Sequence, residues 1–308
     1  MKSLLILIIS GCVAMTTAQC EPGSDKCKLP TSCQQIRDEH ECVRNGIYWL
    51  RDRFNVPYTT YCDMEIDDGG WTLVATIHDN NPWIFGRCST GDRWSSEDGN
   101  IDGSHVGAES WSNRVVFGNP QNAAGDDFKN PAYFELEGRD IMIWQVPNDT
   151  PLEDFNSAAY LKYRTTDGAL EPYGGNLFNL YNDHFPIKTD EYTRPAGNGP
   201  ALPIVFDKGN TAELLGHFGP IPQQYVEPGY IQFRAINHER SAFALCPGVK
   251  MGPLWGDVEH TCIGSTRDNA AVAYCGDLAG FAYDGYGNGL AYNTDKTLLE
   301  TTFFIFYR

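Results

Sequence analysis

Cysteine constrains this chain more than any other residue type. The sequence contains ten cysteines, and the first, Cys12, lies in a stretch where Lys2 precedes the apolar residues 4–9 and small residues follow. This pattern is typical of an export signal, so we expect residues 1–18 to be removed and the protein to be secreted. Nine cysteines then remain. An odd number in an oxidising compartment predicts either a free thiol or a disulfide between chains.

The composition excludes several classes of partner. The 308 residues carry a formal net charge of −17, which repels nucleic acids and anionic membranes but supplies carboxylates that suit extracellular calcium. The same acidity would serve solubility alone, and charge does not decide between these interpretations. No stretch after the signal approaches the roughly 18 apolar residues that a spanning helix needs, so we expect no membrane span.

The pattern along the chain favours an α+β fold. Residues 19–30 mix Pro, Gly, Ser, Asp and Lys with two cysteines, which predicts an exposed N-terminal tether. Ser32 followed by Gln35 forms a capping-box pattern and predicts a helix over residues 33–44 that ends at Gly46. Beyond it, β-branched and aromatic residues predict strands at residues 47–50, 71–76, 132–136, 141–146, 203–206, 230–236 and 302–307. The length allows one large domain or two small ones.

Two motifs near the start of the chain resemble the opening of fibrinogen-like domains. They are YCDM at residues 61–64 and DGGWTLV at residues 68–74. The resemblance implies that residues 31–80 form a fibrinogen-like segment. In such a segment a disulfide-bonded helix and a hairpin precede a glycine-containing turn and a strand that carries a tryptophan, here Trp71.

From residue 78 onward the sequence resembles the intelectins, or X-type lectins. The shared motifs are HDN at 78–80, GDRWSS at 91–96, DDFKNP at 126–131, NHER at 237–240, EHTCIG at 259–264, CGD at 275–277, GYG at 285–287 and FYR at 306–308. The resemblance implies a single large lectin domain over residues 31–308, with twisted β-sheets, short helices and long disulfide-bonded loops stabilised by calcium.

The same resemblance implies a pairing of the cysteines. Three disulfides are expected within the chain, namely Cys33–Cys62, Cys88–Cys275 and Cys246–Cys262. The remaining Cys20, Cys27 and Cys42 are then left for neighbouring chains. A disulfide-linked homo-oligomer is therefore expected, and by analogy with the family it would be a trimer.

Calcium takes about six to eight oxygen ligands from carboxylates, carbonyls and water, so its sites lie in loops that mix acidic residues with glycine. One such loop spans residues 78–92, and Asp127 would join it from a distant loop. By resemblance the ligands here are His78, Asp79, Asn81, Gly86, Gly91, Asp92 and Asp127. Without the resemblance, a solvated acidic loop explains these residues equally well.

The resemblance also implies a second calcium-binding loop, whose calcium ion contacts a bound carbohydrate. This loop carries Asp257 and Glu259, with Asp277 further along the chain. The loop between Cys262 and Cys275 is shorter than in the family, so Asp268 or Asn269 is expected to replace the usual Glu ligand. The residues expected to contact carbohydrate are His238, Glu259, His260, Asn269, Tyr283 and Tyr292.

The resemblance implies calcium-dependent binding of exocyclic terminal 1,2-diols on microbial glycans, in innate immune recognition or agglutination. No nucleophile elbow, zinc-protease helix or phosphate-binding glycine loop points to an enzyme. Two alternatives remain: a fibrinogen- or ficolin-like lectin for acetylated sugars, and an extracellular matrix or signalling protein whose calcium is purely structural. Asn148 begins a sequon for N-glycosylation, although Pro151 follows it.

Overall fold

A computed structural model of the protein describes residues 28–40, 42–78, 93–94, 108–185, 202–205, 226–236, 242–251, 262–265 and 301–308. The strands in these ranges are β1 (Gly46–Arg51), β2 (Pro57–Asp63), β3 (Trp71–His78), β4 (Phe128–Lys129), β5 (Ile141–Pro147), β6 (Leu161–Arg164), β7 (Leu202–Val205), β8 (Val226–Ile236), β9 (Ala242–Met251), β10 (Ile263–Ser265) and β11 (Thr301–Tyr307). The α-helices are α1 (Cys33–Glu39), α2 (Ala108–Ser112), α3 (Ala132–Glu135), α4 (Phe155–Ala158) and α5 (Leu177–Asn179), which continues into a π-helical turn at Leu180–His184. Short 3-10 turns lie at Ile66–Asp68, Pro120–Asn122, Leu152–Asp154 and Glu171–Tyr173.

Two antiparallel sheets organise these elements. The larger sheet has the order β1-β2-β3-β11-β5-β6, and β4 pairs with β3; the smaller sheet has the order β10-β9-β8-β7. Strand β11 therefore lies in the middle of the larger sheet, where Phe304 stands opposite Thr76 of β3 on one side and Trp144 of β5 on the other. The expected combination of β-sheets and short helices is present.

Both faces of the larger sheet are covered. Phe303, Ile305 and Tyr307 of β11 belong to one hydrophobic cluster, while Phe304 and Phe306 belong to a second. The first cluster also contains residues of the smaller sheet, so the two sheets share one core. Burying a large apolar side chain contributes about 1.5–3 kcal/mol. A strand that is buried on both faces therefore reads as a continuous apolar run, which is how β11 appears in the sequence.

The opening segment follows the expected order of helix, hairpin and turn. Ser32 caps α1, since its side chain accepts a hydrogen bond from the Gln35 amide at 3.1 Å. The helix ends at Glu39, earlier than the predicted residue 44, because the backbone is already extended at His40. The Gln35 side chain accepts a hydrogen bond from the Thr31 amide at 3.0 Å rather than from Ser32. Only half of the predicted capping box is therefore formed.

Two of the three expected disulfides lie in the described part of the chain, and both are present. Cys33–Cys62 joins α1 to β2, and Cys246–Cys262 joins β9 to the residue that precedes β10. The expected Cys88–Cys275 bond falls outside the described residues, as do Cys20 and Cys27.

Cys42 is also disulfide-bonded in the structure, and its partner lies outside the described residues. The expected bond from Cys42 to a neighbouring chain stays a prediction. A count of cysteines gives the parity of the unpaired ones but not their identity, because pairing depends on which Cβ atoms the fold brings within bonding distance.

Six of the seven predicted strands lie on observed strands, and the remaining one is wrong. Residues 132–136 were expected to extend because they are rich in aromatic residues, but Ala132–Glu135 is the helix α3. The Asn130 side chain accepts a hydrogen bond from the Ala132 amide at 3.0 Å, and Pro131 precedes the first turn. This start signal outweighs the strand propensity of Tyr133 and Phe134. The sequence did not predict β2, β4, β6, β9 and β10.

Asn130 connects three elements of the core. Its amide nitrogen donates to the Leu73 carbonyl of β3 at 2.8 Å and to the Thr60 hydroxyl of β2 at 3.0 Å. Its amide oxygen accepts from the Ala132 amide of α3. The side chain is buried, so water would not replace these hydrogen bonds if the amide were removed.

We predict that Asn130→Ala lowers the free energy of unfolding by about 2–4 kcal/mol, because buried donors and acceptors lose their partners. The matched control is Asn119→Ala. Asn119 is exposed and its side chain caps one backbone amide, that of Gln121, so its loss should cost about 1 kcal/mol or less. Urea denaturation of the two variants measures the difference, and equal losses would contradict the role given to Asn130.

Asp63 is a second buried polar residue, at the end of β2. Its Oδ1 accepts from the Ile66 amide at 2.9 Å and from the Glu65 amide at 3.3 Å. Its Oδ2 is buried and has no hydrogen-bond partner. Burial raises the pKa of Asp63, and the two amides and the Lys162 ammonium offset part of that rise. The ionised carboxylate is therefore penalised in the folded protein.

We predict that the pH dependence of stability changes in Asp63→Asn. Because the folded pKa lies above the unfolded value of about 3.9, the folded state binds the proton more tightly, so the wild type loses stability as the pH rises through the folded pKa. The asparagine variant lacks this loss. Urea denaturation at a series of pH values should show the stability difference between variant and wild type moving in favour of the variant from about pH 3.9 upward. Asp167→Asn, at an exposed position, serves as control, and parallel curves for Asp63→Asn and the wild type would refute the prediction.

Candidate functional site

Of the residues expected to bind calcium or carbohydrate, the structure describes His78 and Asp127. The other expected positions lie outside the described residues; they are Asp79, Asn81, Gly86, Gly91, Asp92, His238, Asp257, Glu259, His260, Asp268, Asn269, Asp277, Tyr283 and Tyr292. The described residues nevertheless include both ends of the first predicted calcium loop, because β3 ends at His78 and the chain is described again from Arg93.

Asp127 binds both ends of this loop. One carboxylate oxygen accepts a hydrogen bond from the His78 amide at 2.8 Å, and the other accepts from the Arg93 amide at 2.7 Å. Asp127 is buried, so both bonds are shielded from water. The residues 79–92 thus begin and end at the same carboxylate, which we call the Asp127 clamp.

The position of Asp127 follows from the short strand β4. Phe128 and Lys129 pair with Thr76 and Ala75 of β3, and the Thr76 hydroxyl donates to the Asp126 carbonyl at 3.2 Å. These bonds fix the chain just before β4 against the end of β3. The carboxylate of Asp127 is therefore held beside His78 by the sheet itself.

The far end of the loop is attached to the core by Trp94. Its indole nitrogen donates to the Thr76 carbonyl at 2.8 Å, and its ring lies 4.7 Å from that of Trp111. The Ser110 hydroxyl of α2 donates to the Arg93 carbonyl. A displacement of Arg93 or Trp94 would therefore disturb the packing of the aromatic core.

Lys129 is a buried cation that the sequence did not identify. Its ammonium donates to the Ser110 carbonyl at 2.6 Å and to the Asn113 side-chain oxygen at 2.7 Å. It also lies 5.3–5.5 Å from the ring centres of Trp94, Phe117 and Tyr133. Burial lowers the pKa of Lys129 to about 7. Because lysines are rarely buried, no sequence pattern pointed to this one.

The chemistry of the Asp127 clamp fits a calcium loop. A carboxylate oxygen has two lone-pair positions, so each oxygen of Asp127 can accept its amide hydrogen and still offer an acceptor site to a hard cation. Within the described ranges, however, no group of three or more His, Cys, Asp or Glu side chains is arranged to hold a metal ion. Further ligands would have to come from residues 79–92.

The second predicted loop also has its ends in the described part of the chain. Strand β9 ends at Met251 and β10 begins at Ile263, with Ile263 opposite Leu245. Cys246 of β9 and Cys262, the residue that precedes β10, are joined by a disulfide with a Cα–Cα distance of 4.0 Å. Residues 252–261, which carry Glu259 and His260, are thus closed at their base by a covalent bond.

The sequon at Asn148 lies in a turn after β5. The Asn148 side-chain oxygen accepts a hydrogen bond from the Thr302 hydroxyl at 2.8 Å, and Thr150 donates to the Pro147 carbonyl at 2.7 Å. Both residues of the sequon that react with or assist a glycosyltransferase are therefore engaged within the folded protein.

Comparison with known proteins gives limited similarity. No protein-family model matches the chain. The fibrinogen beta chain of Gallus gallus is 32% identical over 84 residues, which is 26% of this chain and 18% of that protein. Among solved structures, the fibrinogen-like globe domain of human ANGPTL6 is similar with 15% identity and a TM-score of 0.23, over 48% of this chain and 64% of that one. The chain thus spans only about a fifth of the fibrinogen chain that it matches.

The sequence similarity supports a fibrinogen-like region in this chain. It does not extend to the intelectins specifically. In the described part of the chain, no helix is both long enough and apolar enough to cross a bilayer.

We predict that Asp127→Asn releases one end of the 79–92 loop. The amide oxygen of asparagine can replace one carboxylate oxygen, but its amino group is a donor and leaves one backbone amide unpaired, which costs about 1–3 kcal/mol. Hydrogen exchange should become faster at His78 or Arg93. The control Asp126→Asn keeps its bond to the Asp127 amide, because Asp126 is exposed and contributes a single oxygen. Unchanged exchange in Asp127→Asn would show that the carboxylate does not hold the loop.

Proposed function

We propose that this protein is an extracellular recognition protein of the fibrinogen-like type, that it binds glycans, and that it performs no catalysis. The observation that carries the proposal is the Asp127 clamp, which holds together the two ends of residues 79–92. Because Asp127 is buried and accepts hydrogen bonds from both loop ends, it brings these ends together, and a loop that presents several oxygen atoms to one cation needs its ends held in this way.

Calcium is the cation proposed for this loop. Asp127 would hold it together with the oxygen atoms of His78, Asp79, Asn81, Gly86, Gly91 and Asp92. Its chemistry there would be to bind oxygen ligands and thereby fix the loop. The protein itself positions the loop, since Asp127 orients the two loop ends and Trp94 anchors one of them in the core.

The glycan is assigned to the second loop. The chain on either side of residues 252–261 is held by the pairing of β9 with β10 and by the Cys246–Cys262 disulfide. Such preorganisation reduces the entropy lost on binding. The finer proposal is that Asp257, Glu259 and one of Asp268 and Asn269 hold a second calcium, while Asp277 is a structural calcium ligand. The second calcium would bind a terminal 1,2-diol, and His238, His260, Tyr283 and Tyr292 would surround the sugar.

Two alternatives differ in the ligand. A ficolin-like protein would bind acetylated sugars, and a matrix or signalling protein would use calcium only to stabilise its loops. The similarity to the fibrinogen beta chain supports a fibrinogen-like extracellular protein in general, and it does not favour one sugar specificity over another. The alternatives predict different competitors, so they can be separated by experiment.

Secretion and self-association complete the proposal. The disulfides Cys33–Cys62 and Cys246–Cys262, with the additional bond of Cys42, are typical of proteins made in an oxidising compartment. If the signal residues are removed, nine cysteines remain, so at least one has no partner within its own chain. Cys20, Cys27 and Cys42 remain candidates for a covalent homo-oligomer.

We predict that glycan-array binding by the secreted protein is lost in a chelator and restored by calcium. Glycerol, which carries a 1,2-diol, should compete, whereas N-acetylglucosamine should not. Glu259→Gln should weaken binding more than Tyr292→Ala, because it removes a charged metal ligand while the tyrosine supplies packing. Competition by N-acetylglucosamine instead of glycerol would favour the ficolin-like alternative. A chelator that lowers the melting temperature while no glycan is bound would favour purely structural calcium.

A further inference from the structure

A polar cavity of about 540 Å³ lies on the fibrinogen-like part of the molecule, away from the Asp127 clamp. It is lined by Gln34, Arg37 and Asp38 of α1, by residues 67–69 of the following turn, and by Arg308. Ligand pockets commonly have volumes of about 300–1,000 Å³, so the cavity can hold a small molecule. Every side chain in its lining is polar or charged.

The floor of the cavity is an unusual stretch of backbone. Asp67, Asp68, Gly69 and Gly70 all have positive φ angles, of 49°, 69°, 76° and 85°. Two of them are aspartates, for which this conformation costs free energy. A side chain at Gly70 would lie 2.2 Å from the Gln34 carboxamide, so glycine also allows α1 to approach the turn. We call residues 67–70 the left-handed turn.

Two guanidinium groups are held by the carbonyl groups of this turn. Arg37 donates from Nε to the Asp68 carbonyl at 2.7 Å. Arg308 donates from one Nη to the carbonyls of Asp67 and Gly69, at 2.6 and 3.1 Å, and lies 4.3 Å above the Trp71 ring. Since the three carbonyls are consecutive, and successive Cα atoms are about 3.8 Å apart, both guanidinium groups face the same short stretch of backbone.

Neither arginine is neutralised by a carboxylate in the described part of the chain. The ion pairs there are Arg53–Glu135, Arg139–Glu171, Arg164–Asp67 and Lys250–Glu227. Arg37 and Arg308 are fixed by neutral carbonyls and retain further N–H donors. Burial lowers the pKa of Arg308, and the nearby carboxylates of Asp140, Asp68 and Asp63 offset part of that change. A guanidinium group with free N–H groups binds carboxylates and phosphates in a two-pronged geometry.

The acidic residues of the cavity oppose a purely anionic ligand. Asp67 is paired with Arg164, but Asp38 and Asp68 have no ion pair among the described residues. Asp38 accepts one hydrogen bond from the Gln34 side chain at 2.7 Å. The cavity therefore presents two cationic and two anionic groups, and a ligand with both kinds of charge would satisfy them together.

We infer that this cavity binds a small zwitterion that carries an oxyanion and a primary ammonium group a few atoms apart. The oxyanion, a carboxylate or a phosphate, lies against Arg37 and Arg308. The ammonium lies against Asp38 and Asp68. Free amino acids and phosphoethanolamine groups share this chemistry, and both are available outside cells. None of the residues that line the cavity belongs to the proposed calcium or glycan loops.

The test is a calorimetric titration of the full secreted protein with glycine and with phosphoethanolamine. The control ligands are acetate, which carries only the negative charge, and ethanolamine, which carries only the positive charge. A hydrogen bond that involves a charged group contributes about 1.5–3 kcal/mol, which is about tenfold or more in Kd. At least one zwitterion should therefore bind about tenfold or more tightly than either singly charged probe, and the tighter of the two identifies the oxyanion.

Variants assign the binding to this cavity. Arg37→Gln should weaken zwitterion binding about tenfold or more, because α1 keeps its fold while the cation is lost. Asp38→Asn should also weaken zwitterion binding but strengthen acetate binding, since it removes a nearby negative charge. Arg139→Gln alters an exposed side chain that pairs with Glu171 and does not line the cavity, so it should change neither. Circular dichroism of each variant verifies folding.

Three outcomes would overturn the inference. They are the absence of saturable zwitterion binding in the millimolar range, equal binding by Arg37→Gln and wild type, and acetate binding as tight as that of the zwitterions. Binding should persist in a chelator. Loss of glycan binding in a chelator with zwitterion binding intact would keep the two sites distinct.

Discussion

The insertion of β11 between β3 and β5 is the constraint on which the rest of the structure depends. It places residues 301–307 between strands that lie more than 150 positions earlier in the chain. Closing so long a loop costs entropy that grows only as the logarithm of its length, whereas each buried Phe or Ile of β11 contributes about 1.5–3 kcal/mol. The free energy gained by burying both faces of β11 therefore outweighs the entropy lost in closing the loop. The larger sheet cannot be completed until this strand is in place, so we expect folding to be slow.

The Asp127 clamp depends on the same arrangement. Thr302 of β11 stands opposite His78, the last residue of β3, and β4 pairs with β3 from the other side. The end of β3 is thus fixed by the sheet before the loop begins. A carboxylate on the residue preceding β4 then meets two backbone amides whose positions are already set. The precision of the loop ends comes from the sheet, and the loop sequence remains free to supply ligands.

The parts of the fold and of the site that could be predicted are those that leave a side-chain pattern in the sequence. Strands β3, β5 and β11 were predicted because continuous burial produces continuous apolar runs. Short or edge strands such as β4 and β6 gave no such signal. Asp127 was predicted to act as a calcium ligand from a distant loop, and that role stays a prediction. Its bonds to the amides of His78 and Arg93 depend on backbone groups that no side-chain pattern encodes. The helix at Ala132–Glu135 was missed because one residue, Asn130, decides it against the propensity of its neighbours.

Several charged side chains of this acidic protein are satisfied by main-chain groups instead of opposite charges. The Lys129 ammonium donates to the Ser110 and Asn113 carbonyls, and Arg37 and Arg308 donate to carbonyls of the left-handed turn. A carbonyl fixes the position of a cation without cancelling its charge, whereas a carboxylate would do both. Burial lowers the pKa of the Lys129 ammonium to about 7, and it also lowers the pKa of Arg308. Arg37 and Arg308 differ from Lys129 because they border an open cavity, where their remaining N–H groups are accessible to a ligand. The same device therefore gives a structural cation where water is excluded and a binding group where it is admitted.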